Sequence, residues 1–139
     1  MIVVDTNVIS ESIRDDPDPS VRAWLNRQVP STLYVSTVTV AELLTGVEML
    51  VDGNRKDVLR AAVAEALHLF DGRVLAFDVE AAHALAAITA ATRAAGRPVS
   101  MADGQIAATA LSRGFEVATR DTTPFVAAGV SVIDPWQAA

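Results

Sequence analysis

The chain has 139 residues, and 17 acidic side chains against 11 basic ones give it a formal net charge of −6 at pH 7. The length predicts one domain, 1–139, with a single core, and 51% hydrophobic against 20% charged residues excludes an intrinsically disordered chain. The lack of cysteine excludes disulfides, thiolate-bound zinc and a thiol nucleophile, and the acidity argues against a broad basic surface for nucleic acid.

Short apolar runs predict five β-strands. They are rich in β-branched or aromatic residues and lie at Ile2–Val4, Leu33–Val35, Val74–Phe77, Phe115–Ala118 and Val130–Ile133. Such continuous runs suit strands that are buried on both faces of a parallel sheet. The first run is too short for a signal-peptide core and no stretch approaches a membrane span, so the simplest prediction is a cytoplasmic protein.

Helical patterns lie between these strands. They predict a helix opened by Pro19, one capped by Ser36 or Thr37 that runs to Leu50 with Gly53 near its stop, and helices over Lys56–Phe70, Val79–Ala95 and Met101–Leu111. Strands that alternate with helices predict an α/β sandwich with a mostly parallel sheet. Ligands of such sheets bind at the carboxyl ends of the strands.

Four carboxylates are candidates for a site at that edge. Asp5 and Asp121 each follow a predicted strand, Asp103 lies in a first helical turn, and Glu42 interrupts an apolar helix. Ordinary structural roles remain open for each one: a helix cap for Asp5, a favourable first-turn acid for Asp103, a turn residue for Asp121, and a solvent-reaching side chain for Glu42.

Neutral hydrogen-bonding residues lie beside two of these acids and favour a functional role. Thr6 and Asn7 follow Asp5, while Thr119 and Thr122 flank Asp121. Carboxylates without basic partners repel one another, and they converge around hard divalent cations such as Mg²⁺ or Mn²⁺. The two histidines, His68 and His83, lie on predicted helices between apolar neighbours, where packing is the expected role.

Four motifs that contain these acids resemble those of PIN-domain toxins of the VapC type, especially the FitB-like branch. They read MIVVDTNVISE at 1–11, STVTVAEL at 36–43, ADGQIAATA at 102–110 and VATRDT at 117–122, and the chain ends in DPW at 134–136 as that branch often does. The resemblance spans essentially the whole chain. It implies a three-layer α/β/α fold, with five strands in the order 3-2-1-4-5 and the four acids at the carboxyl edge.

The resemblance also implies an activity, that of an Mg²⁺- or Mn²⁺-dependent ribonuclease. Asp5 and Asp103 would be the principal metal ligands, Glu42 would bind through water or position the attacking water, and Asp121 would serve a second metal or support the first. Asn7 and Thr119 match polar positions that the family places beside the metal.

The same resemblance implies partners. VapC-type toxins are usually inhibited by a small antitoxin whose N-terminal region binds operator DNA and whose C-terminal tail binds the toxin, and the toxin is expected to form a homodimer. The tail can place an Arg in the acidic pocket. Candidate groove residues are apolar and lie at Trp24, Leu25, Val40, Leu43, Leu44, Val47 and Leu50.

Three alternatives stay open. A phosphoacceptor receiver domain needs a Lys near its late strands, but the only Lys is Lys56, on a mid-chain helix. A haloacid-dehalogenase-like phosphatase needs a second Asp where the chain has Asn7. A PIN domain of weak catalysis that acts mainly as an antitoxin-bound corepressor is the third, and the complete set of four acids argues against it.

Overall fold

The computed structural model describes residues 1–138, and its centre is a five-stranded sheet. The strands are β1 (Ile2–Val4), β2 (Leu33–Ser36), β3 (Val74–Leu75), β4 (Glu116–Ala118) and β5 (Val132–Ile133). Their order is β3-β2-β1-β4-β5 and every pairing is parallel, which confirms the predicted order and makes the sheet wholly parallel.

The central strand β1 brings both halves of the chain together. Ile2 is in register with Leu33 of β2 and with Glu116 of β4. The ladder continues past the end of β1, where the Asp5 amide donates to the Ala118 carbonyl at 2.9 Å. The ends of β1 and β4 therefore lie side by side, and the residues that follow them are neighbours in space.

Seven α-helices surround the sheet within residues 1–138. They are α1 (Thr6–Ser12), α2 (Pro19–Arg27), α3 (Thr37–Glu48), α4 (Asn54–His68), α5 (Val79–Ala94), α6 (Met101–Leu111) and α7 (Thr122–Ala127). The predicted caps of α3, α5 and α6 are confirmed, because each of Ser36, Asp78 and Ser100 accepts a hydrogen bond from a first-turn amide. None of these helices is long and apolar enough to cross a membrane.

The short helices α1 and α7 were not predicted, and the predicted role of Gly53 is wrong. The two helices have 7 and 6 residues, too few to show a clear helical period. Helix α3 ends at Glu48 rather than near Gly53, and Gly53, with a φ of +150°, instead precedes α4 as its N-cap. A φ in this range suits glycine, which has no Cβ.

The sheet separates two apolar clusters, because successive side chains of a strand point to opposite faces. Val4 packs with Val8, Trp24, and residues of α3 and α4 in the first cluster. Val3 packs with Ile106 and residues of α5 and α7 in the second. Helices α1–α4 thus cover one face and α5–α7 the other, as expected of a three-layer fold.

Two expectations about side chains are corrected by burial. Both histidines are exposed rather than packed, and the His68 side chain is 80% exposed beside Asp71. Of the predicted groove residues, Trp24, Leu43 and Val47 are buried core residues. Leu25 does line an open apolar cavity of about 570 Å³, together with residues that the sequence did not single out, among them Ile13, Leu69 and Phe70.

Candidate functional site

A carboxylate-lined pocket lies where β1 and β4 end. It has a volume of about 590 Å³, and Asp5, Glu42 and Asp103 line it together. These acids come from three separate places: the end of β1, the middle of α3 and the first turn of α6. The structure therefore brings together three of the four predicted carboxylates, which are distant in the sequence.

Asp5 is the buried member of the set, with 5% of its surface exposed. Its Oδ1 accepts a hydrogen bond from the Thr6 amide at 2.7 Å, and its Oδ2 accepts one from the Thr119 hydroxyl at 2.8 Å. Asp5 is thus both the N-cap of α1 and a member of the pocket, so the two roles considered for it coexist. Both bonds fix the orientation of the carboxylate.

The Thr119 hydroxyl supports Asp5 and also bonds to two other residues. This hydroxyl is fully buried, and it accepts hydrogen bonds from Asn7 Nδ2 at 3.3 Å and from the Asp121 amide at 3.1 Å. Asn7 in turn accepts a bond from the Arg120 amide at 3.3 Å through its Oδ1. Thr119 and Asn7 therefore connect the loop after β4 to the start of α1 next to Asp5, and their expected place beside a metal remains a prediction.

Glu42 is exposed and held at the pocket by Thr6. The Thr6 Oγ1 lies 2.7 Å from Glu42 Oε1 and 3.0 Å from Thr39 Oγ1. A hydroxyl carries one proton and an ionised carboxylate only accepts, so Thr6 donates to Glu42 and accepts from Thr39. Thr39 is fully buried and lies 3.3 Å from the Ser36 hydroxyl, so Glu42 is oriented from the buried start of α3.

The environment raises the pKa of Asp5 from 3.8 to about 6. Burial is the main cause, because it disfavours the charged carboxylate. The hydrogen bonds from Thr119 and Thr6 oppose this effect, while the negative charges of Asp103 and Glu42 add to it. The charges of Asp103 and Glu42 thus act on Asp5, and a cation in the pocket would relieve this repulsion.

Asp121 and Thr122 are placed outside the pocket lining. Asp121 is exposed and precedes α7, where its side chain makes no capping hydrogen bond, and Thr122 is the first residue of that helix. As the side chains stand, no three His, Asp or Glu residues among 1–138 form a group that could hold a metal. The expected roles of Asp121 and Thr122 remain predictions.

Five residues of the pocket lining were absent from the predicted site, and they are Ser10, Glu11, Arg14, Arg120 and Trp136. Glu11 and Arg14 lie on the α1 side, where Arg14 Nη1 is 3.2 Å from Glu11 Oε2. Arg120 lies in the loop after β4, beside Trp136. From the sequence, Trp136 was noted only as part of the DPW ending. The position of Arg120 between Thr119 and Asp121 was the available signal, because neighbours of a site residue share its edge of the sheet.

The donor set of the pocket fits a hard divalent cation. Asp5, Glu42 and Asp103 offer only carboxylate oxygens, and Asp5 is ionised at neutral pH against the cost of burial. Asp5 and Asp103 would hold such an ion together, with Glu42 at its edge. Mg²⁺ keeps several of its waters in proteins, so it does not require three carboxylates in direct contact.

The chain is similar to known proteins in both sequence and structure. The PIN-domain family model matches residues 2–129. A VapC ribonuclease, Y4jK, of Sinorhizobium fredii is 46% identical over the full length of both chains. Toxin FitB of Neisseria gonorrhoeae is 45% identical over 98% of this chain and 99% of its own. The structure of FitAB bound to an IR36 DNA fragment superposes with a TM-score of 0.94 at 44% identity, covering 100% of this chain and 98% of that one.

Proposed function

The chain belongs to the PIN-domain family, and from this premise we propose that it is a divalent-metal-dependent ribonuclease that acts as the toxin of a toxin–antitoxin pair. The substrate would be an RNA phosphodiester bond, and the cation Mg²⁺ or Mn²⁺. One observation carries the proposal: Asp5, Glu42 and Asp103 converge from three elements on one open pocket, and Asp5 is buried, held at both oxygens and destabilised in its charged form.

Each residue of the pocket has a separate role in the proposed hydrolysis. A bound cation supplies charge neutralisation for the phosphate and acidity for a coordinated water. Asp5 and Asp103 would hold the cation, and the Thr119 hydroxyl keeps Asp5 oriented. Glu42, which accepts a hydrogen bond from Thr6, would accept another from the attacking water. Asp121, which lies outside the pocket lining, would serve a second ion or support the first.

The proposed inhibitor is a small antitoxin with a DNA-binding N-terminal region and a C-terminal tail. The apolar cavity beside Leu25 and Phe70 offers a place for apolar side chains of the tail. A basic tail residue in the carboxylate pocket would pair with Asp5 and exclude the cation. This acidic chain would then reach operator DNA only through the antitoxin, as a homodimer in the cytoplasm, where its RNA substrates are.

The activity is tested with the purified chain, free of any antitoxin, on total cellular RNA. We expect cleavage with Mg²⁺ or Mn²⁺, no cleavage in EDTA, and loss of at least a hundredfold in rate in Asp5→Asn. The matched control is Asp16→Asn, which removes an exposed acid from the loop before α2 and should cut at the wild-type rate. Metal-independent cleavage, or full activity of Asp5→Asn, would refute the mechanism. A chain that folds and binds a partner but never cuts RNA would be the corepressor instead.

The partnership is tested in cells. Expression of the chain alone should slow growth, and co-expression of a small gene adjacent to its own should restore growth. Asp5→Asn should be harmless while still binding the small protein in a pull-down, because the apolar cavity and the acids Glu42 and Asp103 remain for the tail. Growth arrest by Asp5→Asn equal to that by the wild type would show that toxicity does not come from RNA cleavage.

A further inference from the structure

An exposed arginine is held over an aromatic ring at the mouth of the carboxylate pocket. The Arg120 guanidinium carbon lies 5.2 Å from the centre of the Trp136 ring, and both side chains line the pocket with Asp5. This distance is within the range of cation–π attraction, which favours arginine over tryptophan in particular. Arg120 is thus oriented before any ligand arrives.

Both members of this pair are fixed by other contacts. The Arg120 amide donates to Asn7 Oδ1 at 3.3 Å. Trp136 packs against the first apolar cluster, and its amide donates to Asp134 Oδ1 at 2.9 Å. The core therefore supports Trp136, and Trp136 holds the guanidinium toward the pocket.

Arg120 has no anionic partner in the part of the chain that the structure describes, since no carboxylate of residues 1–138 lies within 4.0 Å of its nitrogens. Arg14, the other arginine of the pocket, is paired with Glu11 at 3.2 Å. Arg120 is therefore free to bind an incoming anion, whereas Arg14 already has a carboxylate partner.

We propose that Arg120 binds a phosphate of the RNA next to the bond that is cut, and that Trp136 is a positioning residue that holds Arg120 for this contact. The proposal rests on the proposed ribonuclease function. Three carboxylates repel a polyanion, so the substrate needs a cation at the flank of the pocket. A planar guanidinium meets a phosphate with two parallel hydrogen bonds, which orients the strand as well as attracting it.

Steady-state cleavage of a single-stranded RNA oligonucleotide tests this role. Arg120→Ala should raise KM about tenfold, as expected for the loss of one charge-assisted contact, with kcat changed less than threefold. Trp136→Ala should raise KM in the same direction, and Trp136→Phe should restore most of it because an aromatic face remains. The matched control is Arg97→Ala, which removes an exposed arginine from a separate depression beside Thr92 and Val126 and should leave KM unchanged.

Salt dependence separates a phosphate contact from a structural effect. RNA affinity is measured by fluorescence anisotropy in the Asp5→Asn background, where the RNA stays intact. Adding Arg120→Ala should weaken binding and lower the slope of log K against log salt by about 0.7, the value for one phosphate contact to a single strand. Adding Trp136→Ala should weaken binding with the slope retained, because the charge is still there.

Two results would overturn the proposal. The first is that Arg120→Ala matches Arg97→Ala in KM, in affinity for RNA and in the salt slope. The second is that Arg120→Ala loses affinity for the antitoxin but not for RNA. If the wild type cut no RNA, the proposed function would fail, and the anisotropy comparison would still decide whether Arg120 contacts phosphate. Thermal melts of each variant show whether it is folded.

Discussion

Replacement of Asp5 by Asn should remove cleavage and make the metal-free protein more stable at neutral pH. Burial, Asp103 and Glu42 raise the pKa of Asp5 from 3.8 to about 6 against the opposing hydrogen bonds, so its charged form is costly in the folded state. A shift of about two pKa units corresponds to about 3 kcal/mol. Asparagine carries no charge and escapes this cost.

The variant loses one hydrogen bond in exchange. Asp5 accepts from both the Thr6 amide and the Thr119 hydroxyl, whereas the asparagine side chain has a single acceptor oxygen. Thr119 cannot easily accept from the new amide, because it already accepts from Asn7 and from the Asp121 amide. The loss costs about 1 kcal/mol, which leaves a net gain of about 2 kcal/mol or roughly 8 °C in Tm for a chain of this length.

The pH dependence has a definite sign. Because the pKa of Asp5 is higher in the folded than in the unfolded chain, the folded state binds more protons between pH 4 and about 6. The free energy of unfolding of the wild type therefore falls, relative to that of Asp5→Asn, as the pH rises through this window. Urea unfolding in EDTA at pH 4.5 and 7.5 measures the difference. An Asp5→Asn variant that is less stable at both values by the same amount would refute the reasoning, and Asp16→Asn should track the wild type.

Four further predictions follow from the same geometry. Thr119→Val, which removes the hydroxyl that holds Asp5, should lower the free energy of unfolding by about 2 kcal/mol, measured in urea. An unchanged unfolding midpoint would show that the hydrogen bonds of Thr119 do not stabilise the fold. Millimolar Mg²⁺ or Mn²⁺ should raise the Tm of the wild type but not of Asp5→Asn, and equal shifts would show that binding occurs elsewhere. Gly104→Val should cost about 1–3 kcal/mol in urea unfolding, because a Cβ on Gly104 would lie only 3.0 Å from Leu85 Cδ1; wild-type stability would contradict this packing. An amine-reactive ester should label the N-terminus and spare Lys56 in the native protein, as mass spectrometry would show, because the side chain of Lys56 is only 10% exposed and bonded to acceptors; rapid labelling of Lys56 would refute its burial.

The strands and the local positions of Asp5 and Asp103 could be predicted from the sequence because their signals are local, whereas the strand order and the meeting of the acids were implied only by the resemblance to PIN domains. The run Ile2–Val4 matches β1 at both ends, and Asp5 follows it directly. Ser100 marks the start of α6 and so places Asp103 in its first turn. Each of these inferences depends only on the residues next to it.

The remaining features depend on contacts between distant residues. The 112-residue separation between Asn7 and Thr119 leaves no sign of their hydrogen bond in either motif. Burial differed from expectation where helix faces were ambiguous: His68 lies at the end of α4 beside apolar residues, yet its side chain is exposed while Ala66 and Phe70 nearby are buried. The pairing of Arg120 with Trp136 likewise requires the final segment to fold back across the end of β4.

The net charge of −6 suggested that the chain would not bind nucleic acid. The structure shows that part of this charge is concentrated in one pocket. Three of the acids line one pocket, where the proposed cation would neutralise them and attract a phosphate. Several basic side chains elsewhere are already in ion pairs, as with Arg60 and Arg113. With this charge distribution the proposed ribonuclease would have little long-range attraction for RNA, and we expect its affinity for RNA to come from contacts at the pocket itself. Few phosphate contacts imply a shallow dependence of affinity on salt, in contrast to the steep dependence of proteins that bind RNA through a broad basic face.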